Sequence, residues 1–289
     1  MMYRGESKHE PPTACVGRLG LAMSSNGRRF QCNPEPVLVP DSPYECYGIA
    51  HPRLTMAGGV FILTYSAFDG TTYRLCLATS TDMRSWFRHG PIFPEFEDND
   101  GNTTAGSILP NPTPDGRYLM YVGAGDLRLA SSENLVDWEM HPKPVLTRKK
   151  CPDFACKSIE PGPSPFLTNH GLVVILNGTV KKNHTRVFAA LFQDDKPEVS
   201  LANLKTPFLE AESDWERFGY LPNVVRATSL ILTRRGLSLY YGGADRYIGL
   251  MTAAVPKDYL YDINAQAAKG EAAAKPKRKS TSKKKICGA

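Results

Sequence analysis

Alternation of apolar and polar positions with a period of two governs most of this chain and predicts short strands joined by tight turns. Residues 60–68 (VFILTYSAF) are rich in β-branched and aromatic side chains, and Asp69-Gly70 supplies a turn before residues 73–79 (YRLCLAT). The same hairpin grammar returns at residues 118–122 (YLMYV) and 127–130, and at 172–176 (LVVIL) and 186–192 (RVFAALF). It returns again at 237–241 (LSLYY), where GGAD turns the chain into 247–252 (YIGLMT). Segments rich in Pro and Gly, 110–116 (PNPTPDG) and 161–165 (PGPSP), read as connectors between successive units. Helical periodicity first becomes convincing at residues 258–269.

One phrase recurs on this pattern. Residues 21–38 (LAMSSNGRRFQCNPEPVL), 77–93 (LATSTDMRSWFRHGPIF) and 129–146 (LASSENLVDWEMHPKPVL) share an apolar residue, Ala, a hydroxyl-rich turn, an aromatic (Phe30, Trp86, Trp138) and a Pro-containing strand start. Weaker echoes follow at 189–209 and at 250–260 (LMTAAVPKDYL). A period of roughly 50–60 residues belongs to propeller blades, each of which buries its faces only against its neighbours. Five echoes predict an all-β fold, a five-bladed β-propeller, with Trp86 and Trp138 wedged between blades. A two-layer sandwich would also yield many short strands, but it does not explain a phrase repeated once per four strands. The expected organisation is an N-terminal extension (1–14), the propeller (15–263) and a basic tail (264–289).

Charge sharpens the last boundary. The formal net charge is +6, yet seven of the basic residues crowd into positions 275–285, which leaves the remainder near −1. The Ala/Lys/Ser-rich tail has no apolar face to bury and is expected to be disordered, its partner unspecified. The near-neutral body gives no support for nucleic-acid binding. No apolar run approaches the ~20 residues of a membrane span, and MMYRGESKHEPP lacks the apolar core of a signal peptide. The seven cysteines are odd in number and form no CxxC pair, so they read as reduced packing residues of a cytoplasmic protein, and no metal site is expected.

Chemistry in a propeller sits where the inner strands and their loops line the central funnel. Five segments stand out: 45–53 (ECYGIAHPR), 66–70 (SAFDG), 153–165 (DFACKSIEPGPSP), Asn177-Gly178 and 242–246 (GGADR). They hold the carboxylates Glu45, Asp69, Asp153, Glu160 and Asp245. Paired carboxylates are what glycoside chemistry requires, with room between them for a nucleophile in an inverting site. Asp69 in Asp-Gly is equally a turn residue, and Asp153 a turn cap.

These segments, together with PYECYGIAHPRL, LPNVVRATSLI and LYYGGADRYIGLMT, resemble glycoside hydrolase family 130 from about residue 17 to about residue 255. That family comprises β-mannoside phosphorylases and β-1,2-mannosidases on five-bladed propellers, and a protozoan β-1,2-mannosyltransferase/phosphorylase group shares the fold. The resemblance implies that a Gly-Val-Glu-Asp-Pro-Arg motif supplies the catalytic acid from its Asp. Here the motif is Gly48-Ile49-Ala50-His51-Pro52-Arg53, so Arg53 is retained and His51 takes the acid position. Asp245 matches a sugar-binding aspartate, Asp69 an aspartate of the acid-bearing blade, Lys157 an anion-binding lysine and Arg74 a phosphate-binding arginine. Asn177 stands where phosphorylases have His, and Arg226 where Phe is common.

The implied protein is carbohydrate-active. It binds a hexose in the funnel and cleaves or transfers a β-mannosidic bond with inversion, taking an oligosaccharide or sugar phosphate. No cofactor is implied, with inorganic phosphate as an optional co-substrate. His51 and Glu160 are the catalytic candidates. Glu160 is either a base or simply an ion-pair partner for Lys157, three residues away. Glu45, Arg53, Asp69, Asn102, Asn177 and Asp245 are the sugar-binding candidates, and Arg74 and Lys157 the phosphate-binding ones. The alternative is a non-catalytic sugar-binding propeller that has lost its acid.

Overall fold

The computed structural model describes residues 1–6, 16–94, 104–123, 125–181, 184–233 and 236–254. The alternating segments form five antiparallel sheets arranged as the blades of a five-bladed β-propeller. Blade 1 holds β1 (Met2–Gly5), β2 (Arg18–Met23) and β3 (Gln31–Cys32). Blade 2 holds β4 (Ile49–Ala57), β5 (Val60–Phe68), β6 (Tyr73–Ser80) and β7 (Phe87–Pro91). Blade 3 holds β8 (Ala105–Ile108), β9 (Tyr118–Gly123), β10 (Arg128–Ser132) and β11 (Glu139–Met140). Blade 4 runs β12 (Ser158–Pro161), β13 (Phe166–Thr168), β14 (Gly171–Lys181), β15 (His184–Phe192) and β16 (Ser200–Asn203). Blade 5 holds β17 (Val225–Thr233), β18 (Gly236–Gly243) and β19 (Tyr247–Ala253). Asn102, the helical pattern at 258–269 and the basic tail lie outside the described residues.

The recurrent phrase is a recurrent turn. Ser24, Ser80 and Ser132 each accept, on the hydroxyl oxygen, the backbone N–H of the residue three ahead. That residue, Gly27, Met83 or Leu135, has a left-handed φ between 61° and 69°. Asn26, Asp82 and Asn134 then accept two further N–H groups on one side-chain oxygen. Short oxygen-bearing side chains are needed here because they replace the missing strand ladder locally. The aromatic is fixed by the same turn: Trp86 and Trp138 each donate the indole N–H to the carbonyl three residues back, at 3.1 Å. Trp138 then packs among Ala57, Ile62, Leu75 and Leu77 of blade 2, and Trp86 beside Leu19 and Leu38 of blade 1, as inter-blade wedges.

Three expectations need correction. Residues 110–116 join β8 to β9 inside blade 3, and residues 161–165 lie inside the inner edge of blade 4, so neither connects blades. Prolines lack the N–H that a ladder uses. The PGPSP run therefore splits one inner strand into β12 and β13, which both pair with β14. Residues 2–5 are also no extension, because they pair with residues 18–21 as β1. Of the described cysteines, Cys76 is buried, but Cys32, Cys46 and Cys156 are exposed free thiols, so packing accounts for only part of the set.

Blade 1 differs from the others in one respect. β5, β9 and β14, the second strands of their blades, pack against the innermost strand of the next blade, and β1 does the same with β4. β1 thus occupies a second-strand position, and no described strand lies inside it. The inner ring comprises β4, β8, β12 and β17, with β17 packing directly on β4. Arg53 of β4 and Glu160 of β12 are buried on this ring.

Trp138 is nearly inaccessible within its cluster. Trp138→Ala should cost about 3–5 kcal/mol, read as a lower urea midpoint with an unchanged slope. A loss of under about 1 kcal/mol would mean that blades 2 and 3 are joined by something other than this wedge.

Candidate functional site

The site forms where the inner strands enter the funnel. His51 lies at a β-bulge, where the β4–β5 register shifts between Ala50 and Arg53, and its φ is +51°. Bulges re-aim side chains, and this one turns His51 toward the ring interior. Its Nδ1 sits 3.1 Å from the Ser66 hydroxyl. Ser66 spends its proton on the Thr104 carbonyl. A hydroxyl has one proton to give, so Nδ1–H must donate to Ser66, and Nε2 carries the free lone pair. The Ser66 bond thus fixes the tautomer.

Arg53 is buried and donates Nε–H to the Gly162 carbonyl at 2.8 Å. Its other nitrogens reach the carbonyls of Pro52 at 3.2 Å and Pro161 at 3.5 Å. The interruption of the blade 4 inner strand leaves these carbonyls free to accept, so the Pro/Gly run serves the site through its backbone. Burial, followed by Arg226, lowers the Arg53 pKa to about 10, with Glu160 opposing.

Glu160 accepts from Arg226 NH1 at 2.6 Å. Its expected partner, Lys157, is exposed, and no Lys157–Glu160 ion pair forms. Burial pushes the Glu160 carboxyl upward, but Arg226, His51 and Arg53 together outweigh it and hold the pKa below the ordinary value. Arg226, which with Ala227 stands where Phe-Pro is common, is therefore a site residue that the candidate set lacks, as is Arg4. His51 keeps part of its surface open but is walled in by neighbours. Its pKa falls to about 3, first from burial and then from Arg226, with Glu160 opposing and Arg53 and Arg4 adding to the drop. Arg4 of β1 reaches Asp245 at 3.3 Å across the blade 1–blade 5 joint. Ala244 and Asp245 both carry left-handed φ, at 48° and 54°, in the β18–β19 turn. Three guanidinium groups thus meet three carboxylates, because Arg4 also binds Glu6, while beside the neutral His51 Arg53 and Arg226 face the single carboxylate Glu160.

Other candidates serve elsewhere. Glu45 is buried outside the funnel, in the joint between blades 1 and 2, where it accepts from Tyr65 OH at 2.8 Å, Arg88 at 2.5 Å and the Asp41 N–H at 2.8 Å. Asn177 pairs across from Glu160 but spends its amide on Ala227, donating to the carbonyl at 3.1 Å and accepting the N–H at 2.8 Å. It positions β17 beside β14. Asp69 and Arg74 bind each other at the β5–β6 turn, where Asp69 also accepts from Thr71 and Thr72. Arg74 chiefly, then those turn donors, hold the Asp69 carboxyl well below its usual range. Among the described residues no cluster of His, Cys, Asp or Glu could hold a metal, and no helix is long and apolar enough to cross a membrane.

The profile of the family described as beta-1,4-mannooligosaccharide phosphorylase matches residues 1–261, and the chain belongs to this family, glycoside hydrolase family 130. A 1,2-beta-oligomannan phosphorylase from Thermoanaerobacter sp. (strain X514) is 32% identical over 240 residues, covering 81% of this chain and 78% of that protein. The structure of a beta-1,2-mannobiose phosphorylase from Listeria innocua with β-1,2-mannobiose superposes with a TM-score of 0.75 at 25% identity, over 84% of this chain and 68% of that one. A GH130 structure from work on glycoside hydrolases that target β-1,2-mannosidic linkages in Candida mannan gives a TM-score of 0.78 at 28% identity, over 88% and 82%.

The His51 environment has a sign that stability can report. The unfolded chain takes up a proton near pH 6.5, and the folded funnel resists it until about pH 3. Neutral His51 therefore contributes stability that is complete above about pH 6.5 and is lost as the pH falls toward 3. His51→Gln should gain stability relative to wild type between about pH 7 and about pH 4.5 in urea titrations. A difference that stays constant over that range means His51 titrates normally.

Proposed function

We propose that this protein transfers a mannosyl unit between a β-mannoside and phosphate, with inversion at the anomeric carbon. The observation that carries this reading is the pair of guanidinium groups beside His51, Arg53 and Arg226, against the single carboxylate Glu160, the Arg4 charge being met by Glu6 and Asp245. A wall of that sign favours an anionic co-substrate over water. Lys157, exposed beside β12, adds charge near the entry. Asp245 holds the sugar hydroxyls, and phosphate attacks the anomeric carbon opposite the departing oxygen. The bond to that oxygen breaks, and the oxygen takes a proton carried by His51 or by the phosphate itself. The relatives named for β-1,2-linked mannan and mannobiose make that linkage the first to test.

A neutral His51 sets the pace. With a pKa of about 3, it carries a transferable proton only rarely at neutral pH, so turnover is slow. The same observation favours a second reading, a propeller that binds the sugar without turning it over.

Product analysis with β-1,2-mannobiose separates the two readings. Mannose 1-phosphate should form slowly and only when phosphate is present, and His51→Asp should accelerate it. Binding without turnover in wild type, restored by His51→Asp, establishes the second reading. Mannose release without phosphate contradicts the phosphate dependence, and a fast wild type abolished by His51→Ala contradicts the weak acid. Asp245→Ala should weaken mannobiose binding by about 1.5–3 kcal/mol in calorimetry. Unchanged affinity in the folded variant removes Asp245 from the sugar site.

A further inference from the structure

Two departures from the family pattern, far apart in the chain, meet in the funnel wall. Asn177 stands where His is usual, and Arg226-Ala227 where Phe-Pro is common. Glu160 of β12 and Asn177 of β14 face each other directly across the blade 4 ladder. Both reach over to the inner strand of blade 5, where they take consecutive residues of β17. Glu160 accepts from the Arg226 guanidinium at 2.6 Å. Asn177 donates to the Ala227 carbonyl at 3.1 Å and accepts the Ala227 N–H at 2.8 Å.

The Asn177 clip copies one step of strand pairing with a single side chain. Its amide supplies the donor and the acceptor that a neighbouring backbone would supply, and it is only 1% exposed. The clip needs the N–H of Ala227, which a proline at that position would lack. Gly162 permits the close approach of the two blades, since a Cβ there would lie 3.0 Å from the Ala227 carbonyl. The β17–β18 register slips between Ala227 and Ser229. Asn177 therefore anchors β17 where its own ladder is irregular, one residue from Arg226.

Arg226 differs from the other guanidinium beside His51. Arg53 is 4% exposed and directs its N–H groups at three carbonyls. The Arg226 side chain keeps 25% of its surface accessible, and Glu160 engages its Nη1. A guanidinium has five N–H donors, so Arg226 retains donors for an incoming anion. Arg74, by contrast, is tied to Asp69 at the β5–β6 turn.

We propose that Asn177 is a positioning residue: its clip on Ala227 holds the Arg226 guanidinium against Glu160, and Arg226 is the residue that takes the anionic co-substrate. The inference rests on the reading of phosphate as that co-substrate. Without the clip, β17 loses its hold on blade 4 and the guanidinium loses its aim. Anion affinity then falls, while the sugar contact of Asp245, on the β18–β19 turn, is kept.

Inorganic phosphate titrated into the histidine-labelled full chain, followed at the His51 resonance, reads anion affinity without turnover, and calorimetry with β-1,2-mannobiose reads the sugar site. Arg226→Gln should weaken phosphate binding at least about tenfold and change mannobiose affinity less than about threefold. Asn177→Ala should weaken phosphate about three- to tenfold with the same selectivity, and should add nothing in the Arg226→Gln background. Ala227→Pro, which removes the N–H and keeps Asn177, should match Asn177→Ala and tests the clip even if that variant does not fold. Additive losses in the double variant, or equal losses of phosphate and mannobiose affinity, reduce Asn177 to a structural tie and overturn the proposal. A wild-type His51 signal that phosphate leaves unmoved also overturns it. Phosphate binding in the expected pattern without mannose 1-phosphate formation upholds the proposal, and the phosphorolysis reading alone falls. Phosphate-dependent turnover with an unchanged phosphate KM in Arg226→Gln overturns the proposal and leaves that reading standing.

Discussion

The structure depends on one constraint: a blade exposes an apolar face that only the next blade can cover. The residue two before each repeated phrase is bridged to the Leu ending it in blades 1, 3 and 4, and in blades 2 and 3 the aromatic of the phrase is clamped by its own turn. This unit both ends a blade and presents a wedge to its neighbour, so the ring closes by repetition. Even the buried ionic network of Glu45, Tyr65 and Arg88 belongs to this joinery, because a carboxylate enclosed between blades needs every lone pair met.

The funnel inherits its geometry from the same constraint. Inner strands that were perfectly regular would spend their carbonyls on the ladder and leave nothing for a side chain to hold. The bulge at His51 and the Pro/Gly break at residues 161–165 relax that rule at two facing points. The break lets Gly162 and Pro161 anchor Arg53, and the bulge sets His51 against Ser66. The charges that follow keep Glu160 ionised and His51 neutral, which is an acid–base arrangement unlike that of two carboxylates.

Much of this was legible in the sequence, for identifiable reasons. Strand limits such as 60–68 follow from a period-two pattern with a strong turn signal at Asp69-Gly70, and the blade count follows from the repeats. That His51 and Arg53 share β4, and that Asp245 sits in a tight turn, is readable because these motifs keep their order along the chain. For Glu45, in the turn before β4, and Asn177, in the second strand of blade 4, the pattern of polar positions does not say whether the side chain faces the funnel or a neighbouring blade. The Arg226–Glu160 pair bridges 66 residues, and the roles of Arg4 and the Gly162 carbonyl arise only when separate blades meet. No local pattern carries those contacts.

The claim on which the functional account rests is that the funnel holds His51 neutral, with its proton on Nδ1 and its lone pair at Nε2. Nitrogen-15 NMR of histidine-labelled protein, with His51 assigned by its absence in His51→Gln, reads both the tautomer and the titration. The account predicts an Nδ1–H imidazole that is unprotonated from neutral pH down to about pH 5. An Nε2–H tautomer, or protonation near pH 6.5, would contradict it.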